Sequence, residues 1–96
     1  MEILLHITTP DAVRIATPLG QALARQGVAW GCFLTNDGVK LLGDPAFIDA
    51  GSSALRLVVC EKSWETHMSD RECPVEMGSQ TINSALMAEA HKVVSL

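Results

Sequence analysis

No block of Lys or Arg occurs anywhere in the 96 residues, and the formal charge is −4 with a pI near 5.1. That balance argues against direct electrostatic binding to a nucleic-acid phosphate backbone. No apolar run is long enough to span a bilayer. The opening Met1-Glu2-Ile3-Leu4-Leu5-His6 also lacks the basic region of a secretory signal. The expectation is a cytoplasmic protein without membrane association. Cysteine is scarce and odd in number, three in all. An odd count with no signal argues against a disulfide framework and for a reducing compartment. There is no G-x-G-x-x-G, no Walker motif and no G-x-S-x-G. Neither a phosphate cradle nor a hydrolase elbow is therefore written into the chain, and no cofactor is expected. Repeats, low-complexity tracts and linkers are absent too, so one domain over residues 1–96 is expected.

What is present is apolar. Hydrophobic residues make up 48% of the chain and charged residues 19%, with a mean hydropathy of +0.23. A chain this short buries only roughly 60–65% of its unfolded surface. The apolar excess implies strands covered on both faces, surface covered between subunits, or both. A homo-oligomer is the expectation.

Strands and helices alternate along the sequence. Glu2 to Ile7 is an apolar run and reads as the first strand. Asp11 can cap a helix from Ala12 toward Gln26, with Ile15, Ala16, Leu19, Ala22 and Leu23 on one face. Pro18 inside that pattern implies either a kink or a second start capped by Thr17. Val28 to Leu34 is the second strand. The turn Thr35-Asn36-Asp37-Gly38 follows it, then a short helical turn over Val39 to Leu42. Asp44-Pro45 opens a brief helix. Ala54 to Cys60 is the third strand, and Ser63 can cap a helix over Trp64 to Asp70. Val75-Glu76-Met77 could form a short fourth strand. Gln80 to Ala90 is helical, and Lys92 to Leu96 is a final strand. This order predicts a three-layer α/β/α domain with right-handed crossovers and a mostly parallel sheet of four or five strands.

Cys60 ends the apolar run Leu55-Arg56-Leu57-Val58-Val59-Cys60, and the polar Glu61-Lys62-Ser63 follows at once. Ligands and chemistry collect at the carboxyl ends of strands in open α/β sheets. A thiol there is a candidate nucleophile, and the alternative is an inert, half-buried cysteine. A helix N-terminus lowers a thiol pKa, as would Lys62 or His67 leaning in, whereas Glu61 and Glu65 would raise it.

The whole chain resembles the DsrE/DsrF-like family, which includes the Tus proteins of tRNA thiolation. The resemblance rests on Leu19-Gly20-Gln21-Ala22-Leu23-Ala24-Arg25-Gln26-Gly27, on Asn36-Asp37-Gly38-Val39-Lys40-Leu41-Leu42, and on a strand ending in Cys60 with Ser63 behind it. The closing Ala88-Glu89-Ala90-His91-Lys92-Val93-Val94-Ser95-Leu96 completes it. It implies a small α/β/α domain assembled as dimers to hexamers. It also implies a sulfurtransferase-type sulfur carrier with Cys60 as persulfide acceptor, served by a protein sulfur donor and a protein acceptor. Members without the cysteine are structural, so a non-catalytic oligomeric subunit or small-ligand-binding module of a sulfur-metabolism complex is the alternative. The chain departs from the family in the helix after Cys60. That helix is often Ala-rich with Arg-Gly, and here reads Ser63-Trp64-Glu65-Thr66-His67-Met68.

The remaining candidates each have two readings. Cys73, before Pro74, is a resolving thiol, a second sulfur stop or an incidental loop cysteine. Asn36, Asp37 and Gly38 form a functional rim loop, or simply a turn and cap. Trp64 is a docking anchor or packs its helix onto the sheet. Cys32 reads as core, and His6 and His91 as structural. Cys60, His67 and Cys73 match no standard zinc spacing, so no metal site is expected.

Overall fold

Each apolar run read as a strand pairs into one sheet in the computed structural model, which describes Met1–Leu96. The strands are β1 (Ile3–Ile7), β2 (Trp30–Leu34), β3 (Arg56–Cys60), β4 (Glu76–Gly78) and β5 (Lys92–Ser95). All are parallel, in the order β4-β3-β2-β1-β5. Such a sheet must be covered on both sides. β2, at its centre, is buried at every residue.

The helices are α1 (Val13–Arg25), α2 (Pro45–Gly51), α3 (Glu61–Met68) and α4 (Gln80–Glu89). Short 3-10 segments cover Pro10–Ala12 and Asn36–Gly43. The alternation of side chains along each strand splits the core in two. On one face Leu5, Ile7, Cys32, Leu34 and Val59 meet Ala16 and Leu23 of α1, Phe47 of α2, and Trp64 and Met68 of α3. On the other, Leu4, Phe33, Val58 and Cys60 meet Leu86 of α4, with Ile82 beside them. The three predicted layers are present, but unequally: one helix alone covers the second face.

The connections explain this asymmetry. From β1 to β4 the chain steps one strand at a time in a single direction, so crossovers of one hand place α1, α2 and α3 on the same face. α4 then carries the chain back from β4 to β5, beyond β1. Keeping the same hand while reversing direction puts it on the opposite face. Arg56 pins edge strand β4 through a two-pronged pair with Glu76, at 2.7 Å and 3.1 Å. The pair is exposed and adds little stability.

Local chemistry shifts several boundaries. Thr9, not Asp11, caps the first turn: its hydroxyl accepts from the Asp11 N–H. α1 runs on through Pro18, which takes the place of one intrahelical donor. Asp44 accepts from the N–H groups of Ala46 and Phe47 and starts α2 as expected. α3 begins at Glu61 with Cys60 itself in the cap position, three residues before a Ser63 cap would allow. Ser63 lies inside the first turn, and that displacement matters for the chemistry.

Candidate functional site: the crevice at Cys60

β3 and β4 are neighbours whose following helices leave to opposite faces of the sheet. A crevice opens between such strands at their carboxyl ends, the usual place for ligands in open α/β sheets. Cys60 and Gly78 are paired in register there, as the last residues of their strands. Two helices therefore begin at this point, α3 from Cys60 and α4 from Ser79.

A cavity of about 360 Å³ fills the crevice. Its lining is Thr35, Asn36, Cys60, Lys62, Ser63, Thr66, His67 and Gln80. Cys60 is the one sulfur in it, and no carboxylate lines it. Glu61 and Glu65 instead line a larger hollow of about 660 Å³ with Trp64, Ser69 and Met77. That hollow contains no thiol; the smaller cavity is the one that holds Cys60. The helical turn thus carries the two glutamates away from the wall that contains Cys60.

Cys60 is only 6% exposed. Burial pushes its thiol pKa up. Hydrogen bonds from the Ser63 hydroxyl, the Ser63 N–H, the Thr35 hydroxyl and the Lys62 N–H outweigh this, leaving the pKa below the ordinary thiol value. The two N–H groups are free donors of the first turn of α3. Asn36, at a φ of 54°, donates its N–H to Ser63 Oγ at 2.9 Å. With a lone pair so occupied, the Ser63 proton is free to point at sulfur. Thr35 Oγ1 lies 3.3 Å from the same oxygen. From the opposite wall, Gln80 Nε2 reaches Cys60 Sγ at 3.7 Å.

The structure therefore brings Cys60, Lys62, Ser63, His67 and Asn36 together. It places the other predicted residues elsewhere. Asp37 does not line the cavity. Gly38 packs beneath the turn, where a Cβ would stand 2.8 Å from the Ile7 carbonyl oxygen. Cys73 packs against the larger apolar cluster, across the sheet from that of Cys60, and its thiol bonds to the Val75 carbonyl at 3.3 Å. Trp64 is buried, and its indole N–H donates to the Arg71 carbonyl. It packs α3 onto the sheet. Cys32 is fully buried, and burial drives its thiol pKa far up. No three His, Cys, Asp or Glu side chains gather as metal ligands would. Sequence reasoning missed Thr35, Thr66 and Gln80. The strand-end position of Thr35 was a usable signal; the other two needed the topology.

No model of a known protein family matches the chain, and no curated protein matches it in sequence.

Proposed function

We propose that the protein is a sulfur carrier of the DsrE/DsrF-like, Tus type, accepting and passing on persulfide sulfur through Cys60. The observation that carries this reading is the ring of donors around one thiol in an open, carboxylate-free cavity. A nucleophilic sulfur must be thiolate, and the ring stabilises thiolate. The step balances without an external oxidant. The Cys60 thiolate attacks the outer sulfur of a donor persulfide, R–S–SH. A new S–S bond forms at Cys60, the donor's S–S bond breaks, and the donor leaves as its thiolate. Attack by an acceptor thiolate on the outer sulfur of the Cys60 persulfide reverses the roles, as in thiol–disulfide exchange.

The donor and acceptor are proteins in this reading, in a reducing cytoplasm. The chain itself is a homo-oligomer, between dimer and hexamer. Support for assembly comes from the exposed apolar side chains of Ile15, Leu55, Met77, Met87 and Val93. It also comes from the sheet face covered by α4 alone.

Reduced wild type, Cys60→Ser and Cys73→Ser are incubated with a desulfurase-type persulfide donor and weighed intact. The expected gain of one sulfur persists in Cys73→Ser and disappears in Cys60→Ser. No gain in any variant, with an active donor, would favour the non-catalytic subunit.

A further inference from the structure

The first turn of α4 holds a pair that neither the sequence motifs nor the donor ring of α3 accounts for. Gln80 is exposed at the first position of α4, just after the Ser79 cap. Its Nε2 lies 3.7 Å from Cys60 Sγ, and its Oε1 accepts from Asn83 Nδ2 at 3.2 Å. Asn83 is one turn further on, a spacing at which two amide side chains meet on a helix. It is buried, only 7% exposed, and its Oδ1 has no hydrogen-bond partner. Its neighbours on that side of α4, Ile82 and Leu86, belong to the apolar cluster of Cys60. An orphaned amide oxygen there costs stability that an apolar residue would not. The cost is understandable if the other end of the amide has work to do.

We infer that Gln80 is a catalytic residue that donates its amide N–H to the sulfur of Cys60 across the crevice, and that Asn83 is the positioning residue that holds it there. This deepens the sulfur-carrier reading and rests on it for its purpose, though its readout does not need sulfur transfer. The other donors approach the sulfur from α3 and from Thr35 at the end of β2, so they tie reactivity to the β2–β3–α3 side. Gln80 adds a donor from α4, on the far wall. It would make the thiolate sensitive to how β4 and α4 sit against β3. A thiolate only accepts hydrogen bonds, so the ionised sulfur selects the amide orientation with nitrogen toward it. An added outer sulfur, extending into the cavity, would still find Gln80 on its wall.

The test follows iodoacetamide alkylation of Cys60 against pH in a Cys73→Ser background. Cys32 is fully buried and stays silent. Loss of one hydrogen bond to sulfur in Gln80→Ala should raise the midpoint by about half to one pH unit, slowing alkylation roughly three- to tenfold near neutrality. Gln80→Glu replaces the donor with a carboxylate and should raise it further. Asn83→Leu should reproduce part of the Ala shift, without lowering the denaturant midpoint, since it removes the orphaned oxygen. In the double variant Gln80→Ala/Asn83→Leu it should add nothing. An unmoved midpoint in folded Gln80→Ala and Gln80→Glu would overturn the proposal. An Asn83→Leu shift that survives in full without Gln80 would overturn the positioning role. If Asn83→Leu fails to fold, the exposed Gln80 pair of variants decides the proposal. Sulfur loading, measured separately, keeps the two ideas apart. A shifted midpoint with no loading sinks the carrier reading alone, and loading with unshifted midpoints sinks this one alone.

Discussion

Replacing Ser63 with Ala removes a hydroxyl with three roles. It accepts from the Asn36 N–H at 2.9 Å, meets Thr35 Oγ1 at 3.3 Å, and helps to hold the Cys60 thiol pKa below its ordinary value. A hydrogen bond to a charged group contributes about 1.5–3 kcal/mol in a dry site. Cys60 borders a cavity open to water, so a value near the bottom of that range applies, about 1.5 kcal/mol, or about one pH unit. The Cys60 midpoint should therefore rise by about one unit, and alkylation below the midpoint should slow about tenfold. Below the midpoint, where the thiol is neutral, the stability loss should be smaller, under about 1 kcal/mol, because the exposed Asn36 N–H can turn to water. Ser63→Thr keeps the hydroxyl and should restore most of the rate. The assay is the pH dependence of alkylation, with a denaturation curve beside it. A folded Ser63→Ala variant whose midpoint stays in place, or falls, would refute the donor-ring account.

Three further outcomes follow from the same geometry. Gly20→Ala puts a Cβ 3.0 Å from Trp30 Cη2, between α1 and the sheet. Overpacking of about 1–3 kcal/mol should outweigh the roughly 1 kcal/mol gained in helix propensity, and a lower Tm would show it. Asp44→Ala removes the cap of α2 and should cost about 1 kcal/mol in urea unfolding, with Asp44→Asn recovering most of it. The Cys60 thiol has a folded pKa below its unfolded one. Above the folded value the native chain has shed a proton that the unfolded chain keeps, so stability rises with pH across that interval. Wild type should gain on Cys60→Ser as pH climbs through it, and the gain should vanish as pH falls; parallel stability curves would contradict the shift.

β1, β2 and β3 were readable because they are apolar runs bounded by turn residues, which the sheet buries or half-buries; β4, short and largely exposed at the edge, left a weaker signal. Asp44-Pro45 was readable for a similar local reason, since an acidic cap before proline has few other meanings. The start of α3 was less so. Ser63 looks like a cap, but Cys60 takes that position and leaves Ser63 facing its sulfur. Which strands adjoin, and to which face each helix departs, are long-range facts that no window of sequence holds. Gln80 therefore looked like an ordinary helical residue, although β4 lies beside β3 and so brings it to the thiol. Cys73 shows the converse. It is thirteen residues from Cys60 in the chain, yet its apolar contacts lie on the other side of the sheet.

The most direct test of the central claim uses the spacing of the basic residues. Trypsin cuts after Lys40, Arg56, Lys62, Arg71 and Lys92, so each cysteine falls in its own peptide: Cys32 before Lys40, Cys60 in Leu57–Lys62, and Cys73 in Glu72–Lys92. Reduced protein is exposed to a persulfide donor, trapped by alkylation, digested and weighed peptide by peptide. The account predicts one added sulfur on Leu57–Lys62 and none on the other two. Added sulfur confined to Glu72–Lys92, or none on Leu57–Lys62 while the donor loads a control thiol, would contradict it.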